Sequence, residues 1–126
     1  MATILLVDDN PLRASLRQSI LERDHATVVR VTDAAEALCL LGAIDFADRL
    51  GLIVASHPIH GISGPEFVTE LQSRIVGIPV LILSSHPEAP QEYSTLPGVF
   101  VSIATSPEDF RATVKGLLKG THRQSA

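Results

Sequence analysis

Two aspartates, Asp8 and Asp9, stand side by side and are followed by Asn10. Adjacent carboxylates of this kind are oxygen ligands of the sort a hard divalent cation takes. Three other short polar groups could do chemistry: "SHPIH" over 56–60, "SSH" over 84–86 and "ATS" over 104–106. Each follows an apolar run, so hydroxyls from Ser56, Ser84, Thr105 and Ser106 and imidazoles from His57, His60 and His86 gather where such runs end. Imidazoles with carboxylates can hold a transition metal. The spacing of His57, His60 and His86 follows no ligand pattern, however, and three solvated loop histidines are the plainer reading. Ser56 has no G-x-S-x-G surround, which disfavours a serine nucleophile. No Gly-rich loop follows the acidic pair, so a mononucleotide or dinucleotide site is not expected.

The apolar runs that must position these groups are "TILLV" (3–7), "ATVVRV" (26–31), "LGLIVA" (50–55), "PVLIL" (79–83) and "VFVSI" (99–103). They are too short for helices, and the first, third and fourth are apolar on both faces, as central parallel strands should be. Helical periods lie between them. Leu12, Leu16 and Ile20 fall four apart behind an Asn10 cap and Pro11 at the first helical position. Thr32 or Asp33 opens a second helix carrying Ala37, Leu38 and Leu41, with Cys39 read as core. Phe67, Leu71 and Ile75 stripe a third, with Pro65 near its start. The last helix opens on "SPEDF" and carries Phe110, Val114, Leu117 and Leu118.

Alternating strands and helices predict a doubly wound α/β sheet with right-handed crossovers. In such sheets binding and chemistry gather at the carboxyl ends of the strands, where all four polar groups stand. The segment 84–98 carries Pro87, Pro90 and Pro97, so any helix there is short, about two turns at most. Residues 1–120 make one domain and 121–126 a polar, frayed tail.

Bulk properties exclude several classes. At 126 residues, 45% hydrophobic and 19% charged, the chain can bury one core and is not disordered. A net charge of −4, with Lys115 and Lys119 the only lysines, argues against nucleic acid as a direct partner. One cysteine cannot form an internal disulfide, no apolar run approaches a membrane span, and the acidic start is unlike a signal peptide. A small soluble cytoplasmic domain is the expectation.

"ILLVDDNPLRASL", "GISGPEF" and "PVLILSSH" together resemble the receiver domain of two-component response regulators, over nearly the whole chain. The resemblance implies a flavodoxin-like five-stranded parallel sheet in the order 2-1-3-4-5, with two helices on one face and two or three on the other. It also implies five chemical roles. Two acids after strand one hold Mg²⁺, and an aspartate ending strand three accepts the phosphoryl group. A Ser or Thr ending strand four and a Lys after strand five bind the phosphoryl oxygens. An aromatic residue on strand five completes the switch.

Carried over position by position, Asp8 and Asp9 match the acids and Ser84 matches the switch hydroxyl. Ser56 stands at the acceptor position, Thr105 at the lysine and Ser102 at the aromatic. No Asp occurs between Asp48 and Asp109, and no Lys before Lys115, so a shifted alignment supplies neither group. The expectation is an atypical receiver, not an enzyme, acting by contact with a histidine kinase or a downstream signalling protein. Phosphorylation is lost or weakened, and no cofactor is required beyond weak Mg²⁺ at Asp8 and Asp9. The alternatives are a phosphorelay receiver with an unorthodox acceptor and a metal-binding module on the same sheet.

Overall fold

A computed structural model of the chain describes residues 2–59 and 61–125, with side chains through Lys119. Five strands, β1 (Thr3–Val7), β2 (Thr27–Val31), β3 (Leu50–His57), β4 (Val80–Ser84) and β5 (Val99–Ile103), form one parallel sheet in the order β2-β1-β3-β4-β5. That is the order the sequence predicts. The three inner strands are buried on both faces, which is why they read as continuous apolar runs and not as alternations.

Side-chain alternation divides the core in two. Leu5, Val7, Ile53, Ala55, Val80 and Ile82 pack on one face with Ala37 and Leu41 of α2 (Ala34–Leu41) and with Phe67, Val68 and Leu71 of α4 (Gly64–Arg74). Ile4, Leu6, Leu52, Val54, Leu81 and Leu83 pack on the other, against α1 (Pro11–Glu22) and α6 (Pro107–Ser125). Asn10, Asp33, Ser63 and Ser106 each accept a hydrogen bond from a first-turn N–H of the helix that follows. α6 continues to Ser125, through residues set apart above as a tail.

Three features differ from the expectation. A sixth helix, α3 (Ile44–Arg49), precedes β3; it is too short to show a period, and only Phe46 reaches the core. With α3 and the single-turn α5 (Ala89–Glu92), four helices lie beside the α2 face in place of two or three. Cys39 is exposed, not core, because α2 turns Ala34, Ala37 and Leu41 inward. The stripe of α1 holds only at Ile20, which packs on the core: Leu12 is 73% and Leu16 61% exposed, while Ala14 and Leu21 face the sheet. α5 spans four residues, as the three prolines around it require.

Candidate functional site

Register brings the polar groups together. Val7 pairs with Ala55, Ser56 with Leu83, and Leu83 with Ser102. One step beyond Val7, Asp8 comes level with Ser56, so Asp8, Ser56, Leu83 and Ser102 form a row across the carboxyl edge. By alternation, Asp8, Ser56 and Ser102 belong to the face covered by α1 and α6.

The α1 face turns two arginines onto this row. Pro11 starts the helix so that Arg13 and Arg17, one turn apart, flank the inward-facing Ala14. Arg13 donates to Asp8 from Nη2 at 2.7 Å and from Nε at 3.0 Å, a two-pronged pairing. Arg17 Nη1 donates to Asp8 Oδ2 at 2.8 Å and also to Ser56 Oγ. The Asn10 N–H adds a 3.0 Å bond to Asp8 Oδ1. The Asp8 side chain is fully buried, and every direction in which its oxygens accept is met by a donor of the chain itself. Asp9 is 53% exposed and pairs with Arg13 at 3.4 Å.

Electrostatics follow the same pairing. Burial pushes the Asp8 carboxyl up, but the bonds from Arg13 and Asn10 and the charges of both arginines outweigh it and hold it below the usual carboxylate range. Burial pulls the Arg17 guanidinium below its ordinary value, and Asp8 opposes that only in part. These residues do not fit a magnesium ion. Two guanidiniums stand on the carboxylate a metal would need.

On the α1–α6 side of the row lies a larger cavity of about 270 Å³. Arg17, Ser56, Ser84, Ser102 and Thr105 line its polar wall, and Ile20, Leu83 and Phe110 its apolar one. Ser84 Oγ accepts from the His86 N–H at 2.9 Å. Ser56 Oγ has Arg17 as its hydrogen-bond partner among the described residues, so no carboxylate or imidazole stands ready to take its proton.

His57 and His86 do not join the acidic pair. His57 projects to the opposite face, where Nδ1 meets the Tyr93 hydroxyl at 2.8 Å and Nε2 meets Glu92 at 3.0 Å. His86 lies edge-on to it, ring centres 5.9 Å apart. His60 lies outside the described residues, among which no group of three His, Cys, Asp or Glu side chains could hold a metal ion. Burial and the nearby Glu92 push the Tyr93 hydroxyl up to about 12.

Asp8, Ser56, Ser84, Ser102 and Thr105 were all candidates in the sequence. Arg13, Arg17, Glu92 and Tyr93 were not. The arginines leave a readable trace in their spacing of four behind an acidic turn; Tyr93, inside a proline-rich segment, leaves none.

Residues 4–115 match the family model described as "Response regulator receiver domain". Among curated proteins, the chain is 31% identical over 109 residues to the transcriptional regulatory protein GlrR of Escherichia coli K12, covering 86% of this chain and 23% of that protein. It is 29% identical over 96 residues to the C4-dicarboxylate transport transcriptional regulatory protein DctD of Pseudomonas aeruginosa, covering 75% and 20%. The chain thus spans less than a quarter of the length of the curated relatives it matches. A receiver domain protein from Clostridium thermocellum superposes with a TM-score of 0.85 over 98% of this chain and 99% of that one, at 16% identity. The chemotaxis response regulator CheY4 of Vibrio cholerae gives 0.80 over 93% and 98%, at 24% identity. By sequence and by fold, the chain belongs to the family of response regulator receiver domains.

Proposed function

We propose that this receiver domain signals without phosphorylation and acts by protein–protein contact, not by catalysis. The pairing of Asp8 with Arg13 and Arg17 carries this reading. Phosphoryl transfer to a receiver needs Mg²⁺ and cationic donors on the developing charge. Here two internal cations take the metal's place at Asp8, and the position of the acceptor carboxylate holds Ser56. A serine hydroxyl without a base is a poor nucleophile. Thr105 stands in place of a cationic lysine, and Ser102 gives the Ser84 hydroxyl no aromatic ring to draw inward.

What remains is a surface held in one state. A histidine kinase or a downstream signalling protein is the partner class, and the cytoplasm the compartment, as two-component signalling through a receiver domain implies. The test is incubation with an acyl-phosphate donor and Mg²⁺, followed by intact mass and hydroxylamine treatment. No added phosphoryl mass is expected. Stoichiometric, hydroxylamine-labile phosphate would show that a carboxylate of this chain is an acceptor and would sink the reading. Acid-stable phosphate on Ser56 would instead support the unorthodox acceptor.

A further inference from the structure

We propose that the cavity beside the edge strand β5, between the amino ends of β4 and β5 and helices α4 and α6, binds a small, uncharged, ring-containing organic molecule. It lies at the opposite edge of the sheet from Asp8 and Ser56, so the inference does not depend on the chemistry at those residues.

Three connections meet at this edge. α4 ends at Arg74 and hands over to β4 through residues 75–79, and β5 is entered through Pro97 and Gly98. α6 starts at the carboxyl edge and runs back against the strands, so Gly116 and Leu117 return to the amino edge. The space among them is about 440 Å³, larger than the 270 Å³ at the carboxyl edge. It falls inside the usual range for small-molecule pockets, about 300–1,000 Å³.

The glycines of the wall show that this space is kept open. Gly77 and Gly98 have φ of +81° and +71°, so the backbone accounts for both. Gly116 is different. It lies inside α6 with no left-handed φ, and an added Cβ there would meet nothing within 4 Å. Neither its conformation nor a close neighbour requires a glycine, and a helix interior favours alanine over it. The missing side chain leaves the α6 backbone bare toward the cavity, at a cost to the helix. An occupant that packs against that backbone gives the glycine a reason.

The wall selects the chemical class. Ile75, Ile78, Pro79, Pro97, Phe100 and Leu117 make it largely apolar, and no Asp, Glu, Lys, Arg or His among the described residues lines it. An ionised guest would give up its water with no countercharge in return. The Phe100 ring and two proline rings offer flat faces that suit a flat guest. One polar group can orient it. Gln72 donates from Nε2 to the Pro97 carbonyl at 2.6 Å, which fixes the amide. Its Oε1 has no partner among the described residues and can accept from a donor on the guest.

A second copy of the chain is a poorer occupant. A stable interface buries about 800 Å² per partner. The large apolar side chains exposed at this rim are Val76, at 93%, and Phe100, at 46%, too few for such a face.

The test is a titration of ¹⁵N-labelled protein with indole, a neutral flat ring system with one N–H donor. Saturable shifts at the amides of Gly77, Gly98, Phe100 and Gly116 are expected, with Kd on the order of 1 mM or tighter. The amides of Asp8 and Ser56 should not move. Indole-3-carboxylate should bind at least ~10-fold more weakly than indole, because its charge finds no partner. Gly116→Leu fills the cavity and should weaken indole binding at least ~10-fold. Its urea midpoint should stay at or above that of the unsubstituted protein, since leucine is the better helix former. If Gly116→Leu does not fold, Phe100→Ala, which removes one wall from a half-exposed position, decides the location in its place. Shifts that do not saturate, or undiminished binding by the folded variant, would overturn the proposal. Carboxylate bound as tightly as indole would overturn the uncharged assignment. A dimer in sedimentation that indole dissociates would show a second copy on this face and overturn the small-molecule reading.

Discussion

Arg17 Nη1 lies 2.8 Å from Asp8 Oδ2, so an internal guanidinium sits on the carboxylate that a receiver would offer to a metal. The pair is buried: Asp8 has no exposed side-chain surface and Arg17 only 19%. A buried ion pair is weak support for stability in general, because desolvation offsets attraction. Removing one partner is a different matter, since it strands the other charge.

Asp8 is the partner to remove. Its folded pKa lies below the ordinary 3.8, so the stability it contributes is fully present above its unfolded value and is lost as pH falls through the folded one. Asp8→Asn should lower the unfolding free energy by roughly 2–3 kcal/mol at neutral pH. The gap from the unsubstituted protein should stay flat above about pH 5 and shrink below about pH 4. Urea unfolding of both proteins across that range measures it. A gap that stays constant down to about pH 2 would mean that the carboxylate charge contributes nothing.

Much of this arrangement could be read from the chain. Alternating apolar runs and capped helices predict the doubly wound parallel sheet and the family resemblance its strand order, while the register that brings Asp8 level with Ser56 comes from the structure. The charge inversion at the site could not be read as easily. Arg13 and Arg17 looked like the polar side of a helix whose apolar stripe was Leu12, Leu16 and Ile20. Leu12 and Leu16 of that stripe lie outside, 73% and 61% exposed, because Ala14 and Leu21 take the contact positions on the sheet, with Ile20 packed beside them. Cys39 was misread because the contact positions of α2 are Ala34, Ala37 and Leu41, which leaves position 39 outside.

His57 and Tyr93 give a second, separable test. Tyr93 is 3% exposed and its hydroxyl seats on His57 over the first residue of α4, Gly64, where an added Cβ would collide with Tyr93 Oη. Gly64→Ala should cost about 1–3 kcal/mol by displacing the ring. Tyr93→Phe should cost about 1 kcal/mol through the lost hydrogen bond. The double variant should be less destabilised than the sum, because the hydroxyl is gone while ring Cζ, at 2.7 Å from the added Cβ, still crowds it. Additive losses in a thermal or urea double-mutant cycle would show that the two residues do not share this contact.

The last expectation concerns rebuilding the missing chemistry. Ser56→Asp supplies the third carboxylate beside Asp8 and Asp9, and on ligand count alone it should recover Mg²⁺ binding. The geometry says that it will do so poorly. Arg17 Nη1 already bonds Ser56 Oγ, so a carboxylate placed there would be captured as a second partner of the same guanidinium, giving two buried acids and two arginines in balance. Ser56→Asp alone should therefore bind Mg²⁺ weakly. Adding Arg17→Met should tighten Mg²⁺ by at least ~10-fold, since it removes one cation from two potential ligands. Adding Thr105→Lys to that pair should then raise labelling by an acyl phosphate above either variant alone, as both groups act on one transition-state charge. Calorimetric Mg²⁺ titration across the series reads the first step and hydroxylamine-labile phosphate the second. If Ser56→Asp by itself binds Mg²⁺ as tightly as the arginine-free variant, the guanidiniums are not what keeps the metal out.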